Sequence, residues 1–283
     1  MPFFKNGPVS LFFTTHGSPS HPSILLLHGW ACDAHDWSHQ IPLLNSLSLH
    51  VIALDLRGHG RSSAPPSVSE YSMRALADDV VALLQHLQTG PAIVMAHSMG
   101  TIVASILAVQ NPDLVRALVV AHPIYSGTPD ALVAMSRVMC EDPIVAPETC
   151  AEFFKSVMYT AQTPEWLKTW HIRRVLGTDG VALAGCSRAI VELFGKVVGQ
   201  SEEAKAFMRK RRAPRLVVAT NALPAAAAWE EELGLGPEDR CCSLDEGTFS
   251  HFVDSERFNA VLRDWLVRRG FVAQNAGEGS LPQ

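Results

Sequence analysis

Residues 93–105 read IVMAHSMGTIVAS. A run of apolar β-formers meets a run of helix-formers, and Ser98 stands at the join. Serine at a strand–helix join is commonly only a helix N-cap. An N-cap, however, makes no demand on the residues around it, whereas here Ala96 lies two before the serine and Gly100 two after. Small residues on both sides are what a very tight turn requires, and the pattern is G-x-S-x-G with alanine in place of the first glycine. Such a turn holds the serine hydroxyl at the end of a strand, where ligands sit in open parallel sheets. The following helix directs backbone N–H groups and a positive dipole end at any oxyanion formed there.

Working outward, SILLLHG (23–29) and HVIALDL (50–56) read as buried strands, as do AIVMA (92–96), RALVVA (116–121), RLVVAT (215–220) and RCCSL (240–244). Helical spacing puts Met73, Leu76, Val80, Leu83, Leu84 and Leu87 on one side of segment 71–87. A helix starts at Ser98 and stops at Pro112, and another, 255–270, closes the chain before Gly270. Asn6-Gly7 reads as a hairpin turn. Alternation of strand and helix predicts an α/β protein with a doubly wound, mostly parallel sheet. Between Pro123 and Ala213 no buried strand is legible, only helical stretches at 131–139, 150–159, 164–176 and 186–198. The expected organisation is therefore a core over 1–122 and 214–272, a helical cap over 123–213, and a disordered polar tail over 273–283.

The composition sets the outer limits. A chain of 283 residues with 47% hydrophobic and 18% charged residues is that of a well-buried globular protein. A net charge of −5 argues against a nucleic-acid or anionic-membrane partner. The one basic cluster, Arg209-Lys210-Arg211-Arg212, is expected to be a solvated helix end. No membrane span or signal peptide is legible, and the six cysteines show no metal-ligand spacing. Reduced thiols and a cytoplasmic location are the expectation. Monomer and homodimer both stay open.

A second motif, LLLHGWACDAHDW (25–37), places Gly29 after a buried strand. A glycine there lets the chain turn so that the Trp30 N–H points inward, forming with the Met99 N–H a two-donor oxyanion hole. Read together, HGW, then DLRGHGRSS (55–63), then AHSMG, in that order, resemble the α/β-hydrolase superfamily over about residues 8–271. The resemblance implies the α/β-hydrolase fold with a cap, and it makes Arg57 and His59 scaffold. His28, Gly29, His97 and Gly100 become supports of the oxyanion turn and the serine.

The family places its base histidine after the last strand, and His251 is the only histidine beyond His171. Counting back from Phe258 by the family's usual spacing lands on Thr248 instead, so His251 fits only with a loop three residues shorter. The acid expected at a strand end is missing, since those ends carry His122 and Asn221. Asn221 and Asp130 are weak candidates for that role. Asp142, Asp245 and Glu246 are further carboxylates in no matching position. Trp166 and Trp170, four apart on one helix face, are read as pocket lining or cap interface, with His122 as a further pocket residue. The histidine-rich mouth shows no repeated ligand spacing, so no metal and no cofactor are expected.

These residues imply a serine hydrolase of small apolar or aromatic esters, lactones, thioesters or activated C–C bonds, with a small molecule as partner. LLLHGWACD, His251-Phe252 and the cap stretch 171–196 also resemble cofactor-independent dioxygenases that cleave 3-hydroxy-4-quinolones. In those a histidine deprotonates the substrate. A non-catalytic binder on the same fold is the third reading.

Overall fold

The structure is a computed structural model that describes residues 2–125, 130–245 and 247–273. The expected tail, from 274 on, and Glu246 lie outside the described residues. Eight strands form one sheet: β1 (Phe3–Asn6), β2 (Val9–His16), β3 (Ser23–Leu27), β4 (His50–Leu54), β5 (Ala92–His97), β6 (Val115–Ala121), β7 (Arg215–Thr220) and β8 (Arg240–Leu244). Their order is β1-β2-β4-β3-β5-β6-β7-β8. β1 and β2 pair antiparallel through a two-residue turn at Gly7-Pro8, β2 pairs antiparallel with β4, and the remaining pairings, β4–β3, β3–β5, β5–β6, β6–β7 and β7–β8, are parallel.

Burial explains the strand sequences. On β2 Val9, Leu11 and Phe13 are buried while Ser10, Phe12 and Thr14 are half-buried, the alternation of a strand with one covered face. The central strands β3, β4, β5 and β7 are buried at every position, which is why they read as unbroken apolar runs. Successive residues serve opposite cores: Leu25, Leu27, Val94 and Ala96 face one, Ile24, Leu26, Ile93 and Met95 the other.

The helices in chain order are α1 (Gln40–Ser46), α2 (Met73–Leu87), α3 (Met99–Gln110), α4 (Asp130–Glu141), α5 (Ala146–Phe153), α6 (Glu165–Leu176), α7 (Gly180–Leu193), α8 (Glu202–Met208), α9 (Ala225–Glu232), α10 (Ser250–Val253) and α11 (Ser255–Arg268). α1 and α11 cover one face of the sheet, α2 and α3 the other. Among the described residues the stretch between β6 and β7 carries helices joined by loops and no strand, only a single bridge, Phe194 to Val198. Its apolar residues, Phe154, Leu167 and Leu183 among them, belong to the same cluster as α2 and α3.

A buried ion pair ties this helical layer to the sheet. Arg174 of α6 meets Asp36, which follows β3, with Nη1 2.5 Å from Oδ1, and its Nε donates to the Ala31 carbonyl at 3.2 Å. Its guanidinium also lies over the Trp170 ring at 4.9 Å. The basic cluster after α8 differs from expectation. Arg211 is buried, not solvated, and donates to both oxygens of Glu230, whose carboxylate also accepts from Arg215. The chain must turn inward there to start β7, and it carries the guanidinium in with it.

Truncating Arg174 leaves the Asp36 carboxylate buried and uncompensated. Arg174→Ala is expected to lower stability in urea by about 3–5 kcal/mol. Arg174→Met combined with Asp36→Leu should recover most of that loss.

Candidate active site

Ser98 has φ 48° and ψ −117°, between the last residue of β5 and the first of α3. A side chain held there costs on the order of 1–3 kcal/mol, so neighbouring structure must impose it. The Ser98 N–H donates to the Ala121 carbonyl at 3.1 Å, and the Ser98 carbonyl accepts from the Thr101 N–H and Oγ1 at 2.9 and 2.6 Å. Two glycines make the close approach feasible. A Cβ on Gly100 would stand 2.6 Å from the His28 carbonyl oxygen, and one on Gly29 would stand 2.9 Å from His97 Nδ1. The end of β3 and the start of α3 therefore touch through backbone.

Ser98 opens into a cavity of about 270 Å³. Trp30 and Met99 share its lining with Phe153, Ile190 and Phe194 from the cap, and no charged side chain lines it among the described residues. The N–H groups of Trp30 and Met99 donate to no protein acceptor among the described residues, which leaves two donors free at the serine. Trp30 Nε1 donates to the Leu183 carbonyl of α7 at 3.2 Å and so fixes this turn against the cap. His28 supports the same turn: Nδ1–H donates to the Gly29 carbonyl at 2.7 Å while Nε2 accepts from the Leu56 N–H at 2.9 Å.

The histidine loop runs differently from expectation. Thr248 lines the cavity, and its carbonyl accepts from His97 Nε2 at 2.8 Å. His251 lies three residues on, in the single turn of α10, and does not line the cavity. It is fully buried, its ring 4.4 Å from His97 and 4.8 Å from Trp37, and neither of its nitrogens has a hydrogen-bond partner. One turn of helix rotates it beneath the site and leaves Thr248, the residue on which the family's spacing lands, at the cavity.

The candidate acids do not reach Ser98 either. Asn221 is exposed and donates to the Asp245 carbonyl, while Asp245 pairs with Arg257 at the surface. Asp130 is exposed at the start of α4, and Asp142 accepts from the Ile144 N–H. Trp166 and Trp170 pack on Phe252 at 5.7 and 5.4 Å; they form cap interface and not pocket. His122 does line the cavity, with Nδ1 2.7 Å from Thr220 Oγ1.

Sequence reasoning missed the buried carboxylate of Asp36, quoted within a motif but given no role. Its oxygen and one nitrogen each of His97 and His251 lie within 4.8 Å of one another, near enough to be drawn onto a metal ion. Arg174 already neutralises this carboxylate, so a cation would meet a second positive charge. Burial pushes the Asp36 carboxyl up, but the Arg174 guanidinium beside it outweighs this and holds it below the usual carboxylate range. Burial pushes the imidazoles down: His28 and His171 to about 4, His59 and His122 to about 3, and His97 and His251 below the ordinary value. All six are neutral at pH 7.

Residues 22–144 match the family described as alpha/beta hydrolase fold. An enol-lactonase from Burkholderia xenovorans has a TM-score of 0.81 at 21% identity, covering 94% of this chain and 100% of that one. An esterase from Thermogutta terrifontis has a TM-score of 0.78 at 23% identity, covering 92% and 94%. The chain has the α/β-hydrolase fold. Among curated relatives, a bifunctional epoxide hydrolase 2 of Sus scrofa is 36% identical over 110 residues, 39% of this chain and 20% of that protein. Epoxide hydrolase A of Mycobacterium tuberculosis is 35% identical over 102 residues, 36% of this chain and 32% of that protein. These matches span only a fifth to a third of those relatives.

These six imidazoles, together with buried His50, which burial also pushes down, make a prediction about pH. Their folded pKa values lie below the unfolded value of about 6.5, so between about pH 4 and 6.5 the unfolded chain holds more protons. Stability is expected to be full above about pH 7 and to fall as pH drops through 6.5 toward 4. Thermal midpoints across this range, with calorimetry in buffers of different ionisation enthalpy, should show uptake of several protons on unfolding near pH 5.5.

Proposed function

We propose that this protein is a serine hydrolase that acts by acyl transfer on small, largely apolar carbonyl compounds: esters, lactones, thioesters or activated C–C bonds. The observation that carries this reading is Ser98 in a left-handed turn, beside two unpaired backbone N–H groups, at the end of an apolar cavity. Ser98 Oγ attacks the carbonyl carbon, and the N–H groups of Trp30 and Met99 hold the oxygen as it becomes negative. Collapse expels the leaving group and leaves an acyl-serine, which water then cleaves. Every bond change is carried by protein groups and water, so these steps call for no cofactor.

Serine at the nucleophile position also separates this chemistry from epoxide opening. Attack of a serine hydroxyl on an epoxide carbon gives an ether, which water does not cleave, whereas attack on a carbonyl gives a hydrolysable ester. The similarity to epoxide hydrolases therefore supports the scaffold, and the enol-lactonase and esterase neighbours are nearer in the chemistry their names describe. A cavity of about 270 Å³ is at the small end for ligand sites and fits a short acyl group. Both the hydrolase and the dioxygenase readings take His251 as their base, and its absence from the cavity removes that support from each; the turn at Ser98 with its two free N–H donors is what favours the hydrolase. No described helix is long and apolar enough to cross a membrane, and the six free cysteines fit a reducing, cytoplasmic setting.

A fluorophosphonate probe should label the wild type and not Ser98→Ala, and p-nitrophenyl acetate or butyrate should be hydrolysed faster than the long-chain palmitate. Absence of labelling and turnover in a protein with an intact circular-dichroism spectrum, or labelling that survives Ser98→Ala, would remove the hydrolase reading.

A further inference from the structure

The proton that Ser98 must lose has no acceptor in the loop after β8, because Thr248 faces the cavity there and His251 is sealed beneath it. The ends of the neighbouring strands offer one. His97 and Ala121 are register partners across β5 and β6, and the Ser98 N–H bonds the Ala121 carbonyl. The next residues, Ser98 and His122, thus leave adjacent strands side by side. Both have left-handed backbones, φ 48° and 49°, and both line the same cavity. Strained non-glycine backbone gathers where a structure holds functional groups in place.

We propose that His122 is the base that takes the proton from Ser98, positioned by Thr220, so that base and nucleophile come from the ends of adjacent strands. This rests on the hydrolase reading above. Thr220 ends β7, the strand beside β6, and its Oγ1 lies 2.7 Å from His122 Nδ1. With Nδ1–H donating to that hydroxyl, Nε2 keeps its lone pair. Among the described residues Nε2 has no hydrogen-bond partner, yet it is not among the sealed, unpartnered nitrogens as both nitrogens of His251 are. It is therefore open to the cavity. Burial keeps the imidazole neutral with its lone pair free, but by pushing its pKa down to about 3 it makes His122 a weaker base than a solvated histidine, so the geometry and not the basicity carries the assignment.

The step balances without a further reactant. As Oγ bonds the carbonyl carbon, Nε2 takes the Oγ proton and the carbonyl π pair moves to oxygen. When the carbon–leaving-group bond breaks, the departing alkoxide takes that proton from Nε2. Water then adds to the acyl-serine in the same way, giving the acid and restoring Ser98. Thr220 accepts from Nδ1–H throughout, and as a neutral group it stabilises the imidazolium less than a carboxylate would.

His122→Asn tests this with little strain, because asparagine tolerates a positive φ and its amide can keep the bond to Thr220. It should cut the rates of fluorophosphonate labelling and p-nitrophenyl acetate hydrolysis by about 10²–10⁴-fold, with the thermal midpoint little changed. Thr220→Val should lower kcat by about 2- to 10-fold at constant KM, the effect of one neutral hydrogen bond. The competing base is tested by His251→Leu, which replaces a buried, unpartnered imidazole by an apolar group of similar size and should leave labelling intact. Wild-type reactivity in His122→Asn, or loss of reactivity in a stably folded His251→Leu, would overturn the assignment to His122 while Ser98 stays the nucleophile. An inert but folded wild type would instead sink the hydrolase reading and this assignment with it.

Discussion

The left-handed turn at Ser98 is the constraint on which the rest of the site depends. A side chain at φ 48° is unfavourable by itself and persists because the end of β3 and the first turn of α3 meet at van der Waals distance. That contact exists only because residues 29 and 100 lack side chains. It has three consequences at once. The serine hydroxyl stands clear of the helix, making no capping bond. The Met99 N–H is left free at the helix start, and the Trp30 turn lies beside it. The serine hydroxyl and the two free N–H donors are thus placed by one backbone feature, not separately.

Buried charge plays a different part, joining pieces that come from distant stretches of the chain. Arg174 reaches Asp36 across 138 residues of sequence and Arg211 reaches Glu230 across 19. Both pairs are almost wholly out of solvent. Such pairs contribute little net stability but are expensive to break singly, so they fix the cap on the sheet and the start of β7 in one arrangement. The floor beneath the site shares this character. Asp36 and Arg174 lie among His97, His171 and His251, imidazoles kept neutral by burial.

A parallel sheet brings all its strand ends to one edge, so a group needed at the nucleophile can in principle come from several of them. Here β5 supplies Ser98, β6 leads into His122 and β7 ends on Thr220. The loop after β8 contributes a threonine side chain and a carbonyl that holds His97. The scaffold therefore constrains where a base can stand more strongly than which strand delivers it, and fold membership alone does not decide the chemistry.

Much of the fold was legible because it rests on local chemistry: the unbroken apolar strands, the periodic face of α2, the glycines around Ser98, and the absence of long strands from the cap. The elbow, the Trp30 turn and the missing strand-end acid were equally visible, since small residues and absent carboxylates can be read one position at a time. The spacing from Phe258 pointed to Thr248 at the cavity, but where His251 goes instead could not be read this way. A single turn of α10 decides whether residue 248 or 251 meets the cavity, and that rotation comes from packing against Trp37, His97 and Phe258. Nor could composition show that Arg211 is buried, that Trp166 and Trp170 meet Phe252, or that Asp36 lies beneath the serine. Those are contacts between segments far apart in the chain. The sequence by itself determined the class of fold and the tight turn at Ser98, because both follow from neighbours a few residues away. Which histidine faces that serine was decided only by tertiary structure, because it depends on how separate strands end side by side.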